Sequence, residues 1–227
     1  MTTTLITGGN KGLGRETARQ LLAHGHDVWI GARDAERGRR AADELGARLV
    51  QLDVTDDASV AAAAATVGDL DVLVNNAGVS GGLAAPADVT ADLMRTVFDT
   101  NVFGLVRVTR AFLPALQRST AATVVNVSSG LGSLTLATDP GSIASRYQLL
   151  AYSSAKAAVN MVTVQYAKAF PQLRVNCVDP GFTATDFNGH RGVQTVEEGA
   201  RAIVRAALLG PGGPTGAFFD DDGTVPW

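Results

Sequence analysis

The sequence predicts a doubly wound α/β domain, in which a parallel sheet is covered by helices on both faces. Seven short apolar and β-branched runs recur along the chain, and helical patterns separate them. Several of these runs are continuously apolar, which is typical of strands buried on both faces. Because strands and helices alternate, right-handed crossovers between parallel strands are expected.

The predicted elements fill the whole chain. The strands are expected at residues 3–7, 27–32, 48–53, 70–75, 123–128, 173–178 and 217–219. The helices are expected at residues 12–24, 34–45, 56–67, 91–116, 151–169 and 196–209. No change in composition marks a second domain, so residues 1–227 are predicted to form one domain.

Composition argues against several classes of protein. Hydrophobic residues make up 46% of the chain and charged residues only 18%, which argues against disorder. The net charge of −3 gives no sign of nucleic-acid binding. Strand-like sequence follows Met1 directly and no apolar run is long enough for a membrane, so we expect a cytoplasmic protein without a membrane partner. The three histidines show no metal-ligand spacing and Cys177 is the only cysteine, so neither a metal nor a disulfide is expected.

A glycine-rich turn follows the first predicted strand. It reads Thr7-Gly8-Gly9-Asn10-Lys11-Gly12-Leu13-Gly14 and leads directly into a helix. Glycines in such a turn let the backbone approach a pyrophosphate, whose charge the helix N-terminus stabilises. The spacing Gly8-x-x-x-Gly12-x-Gly14 differs from the dinucleotide fingerprint Gly-x-Gly-x-x-Gly. An ordinary turn would also explain the glycines, but their position after the first strand favours phosphate binding.

The end of the second predicted strand indicates the kind of nucleotide. Ala32 and Arg33 lie at its tip, and Asp34 is predicted to cap the next helix. A carboxylate at this tip usually holds a ribose without a 2′-phosphate, whereas an arginine holds a 2′-phosphate. With Lys11 as a second cation, the pattern favours NADP over NAD.

Polar residues also follow the next three predicted strands, at the edge where open α/β sheets bind ligands. Asp53 and Val54 follow the third strand, where a carboxylate and an amide could hold an adenine edge. The fourth strand ends in Asn75-Asn76-Ala77-Gly78. The fifth ends in Ser128 and Ser129, and no histidine near them in sequence could make either serine a nucleophile.

Two helical segments carry polar residues of their own. Asn101 and Gly104 weaken the interior of the predicted helix 91–116, which predicts a local irregularity there. Tyr152 and Lys156 lie four residues apart at the start of the predicted helix 151–169, so they share one face. A nearby ammonium lowers the pKa of a phenol, ordinarily about 10, toward neutrality. Taken alone, however, the pair fits an unremarkable aromatic residue and a solvated lysine better.

Together, the motifs resemble the short-chain dehydrogenase/reductase family, and in particular its carbonyl reductases. The resemblance covers nearly the whole chain and rests on an ordered set of modest motifs. These are Thr7-Gly8 with Gly12-Leu13-Gly14, Asp53, Asn75-Asn76-Ala77-Gly78, Asn101, Ser129, Tyr152 with Lys156, and Pro180-Gly181 with Thr183. The resemblance implies one Rossmann-like domain with seven parallel strands in the order 3-2-1-4-5-6-7.

The same resemblance implies an NADPH-dependent oxidoreductase that interconverts a carbonyl group and an alcohol by hydride transfer. Tyr152 would exchange the proton, Lys156 would lower the pKa of Tyr152 and bind the nicotinamide ribose, and Ser129 would donate to the reacting oxygen. Asn101 would hold a water that links Lys156 to solvent. Besides Tyr152 and Lys156, the residues expected to bind NADP(H) in preference to NAD(H) are Gly8, Asn10, Lys11, Gly12, Leu13, Gly14, Arg33, Asp53, Val54, Asn75, Ala77, Gly78, Pro180, Gly181, Thr183 and Thr185.

Two segments depart from many members of the family. Residues 130–150 form a long insert between Ser129 and Tyr152, rich in glycine, hydroxyl and apolar side chains. We expect much of it to be a surface loop over the pocket, either a mobile lid or a static flap. The substrate loop at 182–194 is short, and a capping box of Thr195 and Glu198 starts the next helix. The acidic run 220–222 is expected to be a solvated turn.

Other functions stay open at this point. An epimerase or dehydratase of the same fold would usually need a longer substrate domain, and a regulatory NADP sensor would usually lose part of the set Ser129, Tyr152 and Lys156. The substrate is expected to be a small, apolar carbonyl compound or alcohol. A homodimer or homotetramer is expected through the helices 91–116 and 151–169, unless the insert obstructs them and leaves a monomer.

Overall fold

A seven-stranded parallel sheet forms the centre of the computed structural model, which describes residues 1–227. The strand order is β3-β2-β1-β4-β5-β6-β7, as expected from the sequence. The strands are β1 (Thr3–Thr7), β2 (Asp27–Ala32), β3 (Arg48–Gln51), β4 (Val72–Asn75), β5 (Thr123–Val127), β6 (Arg174–Val178) and β7 (Phe218–Phe219). All six neighbouring pairs are parallel.

Eight α-helices surround the sheet. They are α1 (Gly12–Ala23), α2 (Ala35–Leu45), α3 (Asp57–Val67), α4 (Ala91–Phe98), α5 (Gly104–Arg118), α6 (Leu134–Thr138), α7 (Leu150–Ala169) and α8 (Val196–Ala207). A π-helical turn, Asp99–Phe103, joins α4 to α5. Short 3₁₀ turns occupy Pro86–Asp88, Gly130–Gly132, Ala144–Arg146 and Asp186–Asn188. No helix is both long and apolar enough to cross a lipid bilayer.

The apolar strands are buried because helices cover both faces of the sheet. Successive residues of a strand point to opposite faces. Leu5 accordingly packs with Phe112 of α5 in one apolar cluster, and Ile6 packs with Leu21 of α1 in the other. This double burial explains why the strands have continuously apolar sequences.

The structure corrects the predicted helix 91–116. It consists of α4 and α5 with the π-helical turn between them, so the expected irregularity at Asn101 is confirmed. The side chain of Asn101 fixes this turn to the loop after β4, since it bonds both the N–H and the carbonyl of Val79, at 2.8 and 2.9 Å. Pro114 does not end the helix, which continues to Arg118.

The predicted helix caps are confirmed. The Asp34 carboxylate accepts bonds of 3.0 Å from the backbone N–H groups of Glu36 and Arg37. Thr195 and Glu198 form a reciprocal capping box at α8, with bonds of 3.2 and 2.8 Å.

Candidate active site

The structure brings Ser129, Tyr152 and Lys156 together at the carboxyl edge of the sheet. Ser129 lies two residues beyond the end of β5, and the other two residues lie on the first turns of α7. The Lys156 ammonium lies 5.5 Å from the centre of the Tyr152 ring. The Ser129 hydroxyl is close enough to the phenol to lower the pKa of Tyr152 by hydrogen bonding. These three groups can therefore address one small ligand.

The net pKa shift of Tyr152 differs from the sequence-based expectation. Burial raises the pKa of Tyr152 most, and the negative charge of Asp179 raises it further, which outweighs the effect of Ser129. The expected lowering of the Tyr152 pKa by Lys156 is not found, and the Lys156 ammonium donates to the Val127 carbonyl at 2.7 Å. The Tyr152 phenol therefore stays protonated well above neutral pH.

Lys156 is buried, with only 5% of its surface exposed. Burial lowers the pKa of Lys156 to about 8, although the neighbouring Asp179 partly opposes this. The ammonium form of Lys156 therefore still predominates at neutral pH, and half of the molecules lose this proton near pH 8. Such a strongly shifted group next to Tyr152 marks this edge as the candidate active site.

The two serines after β5 have separate roles, as the alternation of side chains predicts. Ser128 is fully buried and bonds the Asn160 side chain. The Ser129 hydroxyl is half-buried and accepts from the Leu131 N–H at 3.2 Å. Ser129 can therefore meet a substrate oxygen, whereas Ser128 fixes α7 against the end of β5.

A small cavity lies beneath the candidate active site. Its volume is about 10 Å³, which is room for roughly one water molecule. Asn101, Lys156 and Asn75 are among the residues that line it. The carbonyl oxygen of the Asn75 side chain is buried without a hydrogen-bond partner. A water in this cavity would satisfy that oxygen and fits the role expected of Asn101, although the Asn101 side chain itself is engaged by Val79.

The glycine-rich turn forms a cradle that larger residues would fill. Gly12 has a φ of +53°, in the region that favours glycine. A Cβ on Gly14 would lie only 2.6 Å from the Gly8 carbonyl oxygen and 2.5 Å from the Asn76 side chain. Asn76 in turn bonds the carbonyls of Thr7 and Gly8 at 2.9 and 3.2 Å. The turn at the start of α1 is therefore preorganised for close approach of a phosphate group.

Three other predicted residues of this region contribute in different ways. Leu13 packs into the apolar core, so its side chain supports the turn from behind. The half-buried Asn10 lines an adjacent groove. Thr185 extends its methyl group to within 3.5 Å of where a Cβ on Gly12 would be, which places it over the turn.

A basic groove of about 300 Å³ adjoins the glycine-rich turn. Lys11 lines it together with Arg37 and Arg40 of α2, two cations that the sequence analysis did not select. Arg33 is exposed at the tip of β2 and its charge helps to lower the pKa of Asp34 and of Asp53. The carboxylates of Glu44 and Asp186 also line this groove, and they pair with Arg15 and Lys11.

The predicted adenine-side residues follow β3, and Asp53 lies near enough to Arg33 for that charge to lower its pKa. Asp53 accepts two bonds from Thr55, of 2.9 Å from the N–H and 2.7 Å from the hydroxyl. Burial by itself raises the pKa of Asp53, but these hydrogen bonds and the charge of Arg33 more than offset it, and the net pKa is lowered. Val54 is buried and fits tightly against Gly104.

The fourth strand supplies both structural and ligand-facing groups. The Asn75 side chain donates to Thr109 at 3.0 Å and to Asn126 at 2.9 Å, so it holds the buried end of the sheet together. Ala77 lines the cavity, and a Cβ on Gly78 would lie 3.3 Å from the Asn101 side chain. The backbone of these two residues therefore lies beside the cavity beneath the candidate active site.

Pro180 and Gly181 follow β6 as a tight turn, with a φ of +72° at Gly181. Thr183 is buried, donates to the Pro180 carbonyl at 3.2 Å and accepts from the Gln194 side chain at 2.8 Å. Gln194 therefore closes the substrate loop at its far end. The Thr183 hydroxyl is largely engaged by protein, so a ligand would have to share it.

Aromatic residues surround the mouth of the site. Phe187 of the substrate loop packs on Tyr152, with ring centres 5.7 Å apart, and Phe182 packs on Tyr147 of the insert, at 6.4 Å. Both phenylalanines are partly exposed, Phe182 at 39% and Phe187 at 44%. The insert therefore meets the substrate loop at this mouth.

The insert is less of a loop than the sequence suggested. It contains α6 and two 3₁₀ turns, and its first half is fixed to the rest of the chain. The Ser133 hydroxyl bonds the Pro226 carbonyl at 2.6 Å, and the Thr135 N–H bonds the Trp227 carbonyl at 2.9 Å. Trp227 therefore anchors α6, and its ring packs on Phe218.

Sequence reasoning missed Asp179, Asn76 and the groove arginines of α2 as parts of this site. Asp179 directly precedes Pro180, and its position after a buried strand is a signal that could have been used. Asn76 was noted only as part of a motif. Arg37 and Arg40 can be assigned to the groove only from the structure, in which α2 lies beside the glycine-rich turn.

Comparisons with known proteins agree with this geometry. The family model for short chain dehydrogenases matches residues 2–195. The short-chain dehydrogenase anuI of Penicillium roqueforti is 38% identical, over 97% of this chain and 94% of its own. Among solved structures, salutaridine reductase from Papaver somniferum superposes with a TM-score of 0.85 at 30% identity, over 97% of this chain and all of its own. An NADPH-bound carbonyl reductase from chicken fatty liver superposes with a TM-score of 0.88 at 28% identity, over 100% and 99% of the two chains. On this evidence the chain belongs to the short-chain dehydrogenase/reductase family of oxidoreductases.

Proposed function

We propose that the protein is an NADPH-dependent reductase that converts a ketone or aldehyde into an alcohol, or catalyses the reverse reaction. The observation that carries this proposal is the group of Ser129, Tyr152 and Lys156 beside a glycine-rich phosphate cradle. When bound there, the nicotinamide would supply a hydride to the carbonyl carbon. The two similar structures named above, of a salutaridine reductase and an NADPH-bound carbonyl reductase, support the same reaction class.

Tyr152 supplies the proton in this proposal. Its raised pKa keeps the hydroxyl protonated at neutral pH, so it can pass a proton to the carbonyl oxygen as that oxygen gains charge. Ser129 donates a hydrogen bond to the same oxygen, which stabilises charge where it develops. The buried ammonium of Lys156 lies close enough to favour the phenolate that Tyr152 leaves behind.

The preference for NADP rests on the charges around the end of β2. Arg33 and Lys11 would hold the 2′-phosphate, and Arg37 of the basic groove could support them. Lys11 pairs with Asp186 at 3.3 Å in this structure, but both side chains are more than half exposed. Because exposed ion pairs contribute only about 0–1 kcal/mol, Lys11 is available to a phosphate.

The substrate is proposed to be apolar near its carbonyl group. Phe182, Phe187 and Tyr147 surround the mouth of the site, and they leave apolar surface exposed there. A carbonyl compound with hydrophobic substituents would cover this surface and exclude water from the hydride path. The mobile lid over residues 130–150, a cytoplasmic location and assembly through α4, α5 and α7 stay predictions.

The direct test is loss of NADPH absorbance with a panel of aldehydes, ketones and quinones. We expect turnover with apolar carbonyl compounds, and we expect Tyr152→Phe to lose nearly all of it while binding NADPH with unchanged affinity. Lys156→Ala should weaken both. If no carbonyl compound were reduced although NADPH bound tightly, a regulatory nucleotide-binding protein would be the better interpretation.

The cofactor preference has its own test. Arg33→Asp removes a cation and adds an anion where the 2′-phosphate is proposed to lie. Each charge-assisted hydrogen bond is worth about 1.5–3 kcal/mol, so NADPH affinity should fall at least tenfold while NADH affinity is retained. Arg39→Asp, on the exposed surface of α2, is the matched control. Equal affinity of the unmodified protein for NADH and NADPH would refute the preference.

A further inference from the structure

Asp179 is a carboxylate at the candidate active site to which the proposed reaction gives no task. It directly follows β6 and precedes Pro180. Its backbone N–H donates to the Phe219 carbonyl of β7 at 3.0 Å, so its position is set by the sheet. Ionised carboxylates in such poorly hydrated places need hydrogen bonds or a counter-charge.

The side chain of Asp179 joins two loops of the site. One oxygen accepts from the Gly181 N–H at 3.0 Å. The other lies against Gly130, the residue after Ser129, where an added Cβ would come within 2.7 Å of it. The carboxylate thus fills the space between the loop that carries Ser129 and the turn on the proposed nicotinamide side.

The charged and titratable neighbours of this carboxylate come from three elements. Tyr152 and Lys156 face it from α7, Asp220 lies beyond the end of β7, and Cys177 lies two residues earlier on β6 beside Lys156. Burial raises the pKa of Asp179, whereas the Gly181 and Gly130 N–H groups and the Lys156 ammonium oppose that rise. Lys156 is thus the one cation among these neighbours, and Asp179 is its natural counter-charge.

We propose that Asp179 is a positioning residue that clamps the Ser129 loop to the Pro180–Gly181 turn and places a negative charge behind Tyr152 and Lys156. This charge sets the upper pH limit of carbonyl reduction. A negative charge there disfavours the Tyr152 phenolate and favours the Lys156 ammonium, so it extends to higher pH the range in which Tyr152 can donate beside a charged lysine. The inference rests on the proposed function for its kinetic consequence, but the electrostatic effect exists without turnover.

Asp179→Asn tests the proposal, because asparagine keeps the shape and an acceptor for Gly181 but removes the charge. The alkaline limit of kcat/KM for carbonyl reduction should move down by about one pH unit. Asp179→Glu keeps the negative charge, so its alkaline limit should lie close to that of the unmodified protein. Asp220→Asn removes the neighbouring carboxylate that does not act on Tyr152, and its limit should stay where it is in the unmodified protein.

A second readout does not depend on activity. NMR of protein with isotope-labelled tyrosine rings, with NADP⁺ added, follows the ionisation of Tyr152, which Tyr152→Phe identifies among the three tyrosines. The phenolate should form at lower pH in Asp179→Asn than in the unmodified protein. If Asp179→Asn does not fold, Asp179→Ser supplies the neutral variant.

The outcomes separate the two proposals. If no carbonyl compound is reduced, the proposed function fails, while the NMR comparison still tests Asp179. A fall in kcat with an unmoved pH limit and unmoved Tyr152 ionisation would overturn the inference, since Asp179 would then be structural only. A lower alkaline limit of kcat/KM, together with ionisation of Tyr152 at lower pH, supports the inference.

Discussion

Replacing Lys156 with methionine should stabilise the fold while it abolishes turnover. Lys156 is buried, and burial lowers its pKa from 10.5 to about 8. At 1.36 kcal/mol for each pKa unit, this difference means that the folded state holds the ammonium at a cost of about 3 kcal/mol at neutral pH. Methionine has a similar length and no charge, so the substitution removes that cost.

The lost hydrogen bond offsets part of the gain. The Lys156 ammonium donates to the Val127 carbonyl at 2.7 Å, and such a charged bond is worth about 1.5 kcal/mol. The net gain is therefore about 2 kcal/mol, or about 4–8 °C in Tm for a chain of this size. Thermal unfolding at neutral pH, without added nucleotide, measures it. Lys168→Met, at an exposed site on the same helix, is the control and should change little.

The pH dependence gives a sharper form of the same test. Between about pH 8 and 10.5 the folded protein has lost the Lys156 proton while the unfolded chain still binds it. Unfolding then takes up a proton, so the free energy of unfolding of the unmodified protein rises with pH through this window. The difference in the free energy of unfolding between Lys156→Met and the unmodified protein should therefore become smaller as the pH rises. A destabilised Lys156→Met, or a gap that stays constant from pH 7 to 10.5, would refute the reasoning.

Four other substitutions separate structure from function. Gly14→Ala forces a Cβ against Asn76 and should weaken NADPH binding at least tenfold by fluorescence titration, whereas an unchanged Kd would contradict the cradle. Asp34→Ala removes the cap of α2 and should cost about 1 kcal/mol in a urea titration; no loss of stability would mean that the cap is unimportant. Ser128→Ala should lower Tm and leave kcat nearly intact, while Ser129→Ala should lower kcat and leave Tm nearly intact. The reverse pattern would show that the two serines had been assigned the wrong way round.

The order of strands and most element positions follow from the sequence because buried parallel strands and amphipathic helices leave strong periodic signals. Asp34 and the Thr195 capping box were predictable for a similar reason, since a helix N-terminus uses a local pattern of side chains. The irregularity at Asn101 was predictable from the low helix propensity of asparagine and glycine. Its π-helical form was not, because it depends on the contact with Val79 from a distant loop.

The electrostatics of the site were harder to predict. Helical spacing correctly placed Tyr152 and Lys156 on one face, but the pKa shifts depend on burial and on Asp179, which reaches them from β6. The secondary structure of the insert 130–150 was also predicted incorrectly. Its glycines and hydroxyls predicted a loop, whereas contacts with Pro226 and Trp227 hold α6 in place. Effects of this kind arise from residues that are far apart in sequence.

The central claim is that Tyr152 donates a proton while a hydride moves from the nicotinamide to a carbonyl carbon. A single-turnover experiment with NADPH deuterated at the transferred position tests it most directly. The account predicts that the deuterium appears on the carbinol carbon of the product, with a primary isotope effect on the rate, and that Tyr152→Phe forms almost no product although it binds NADPH. Product without the label, or unchanged product formation by Tyr152→Phe, would contradict the account.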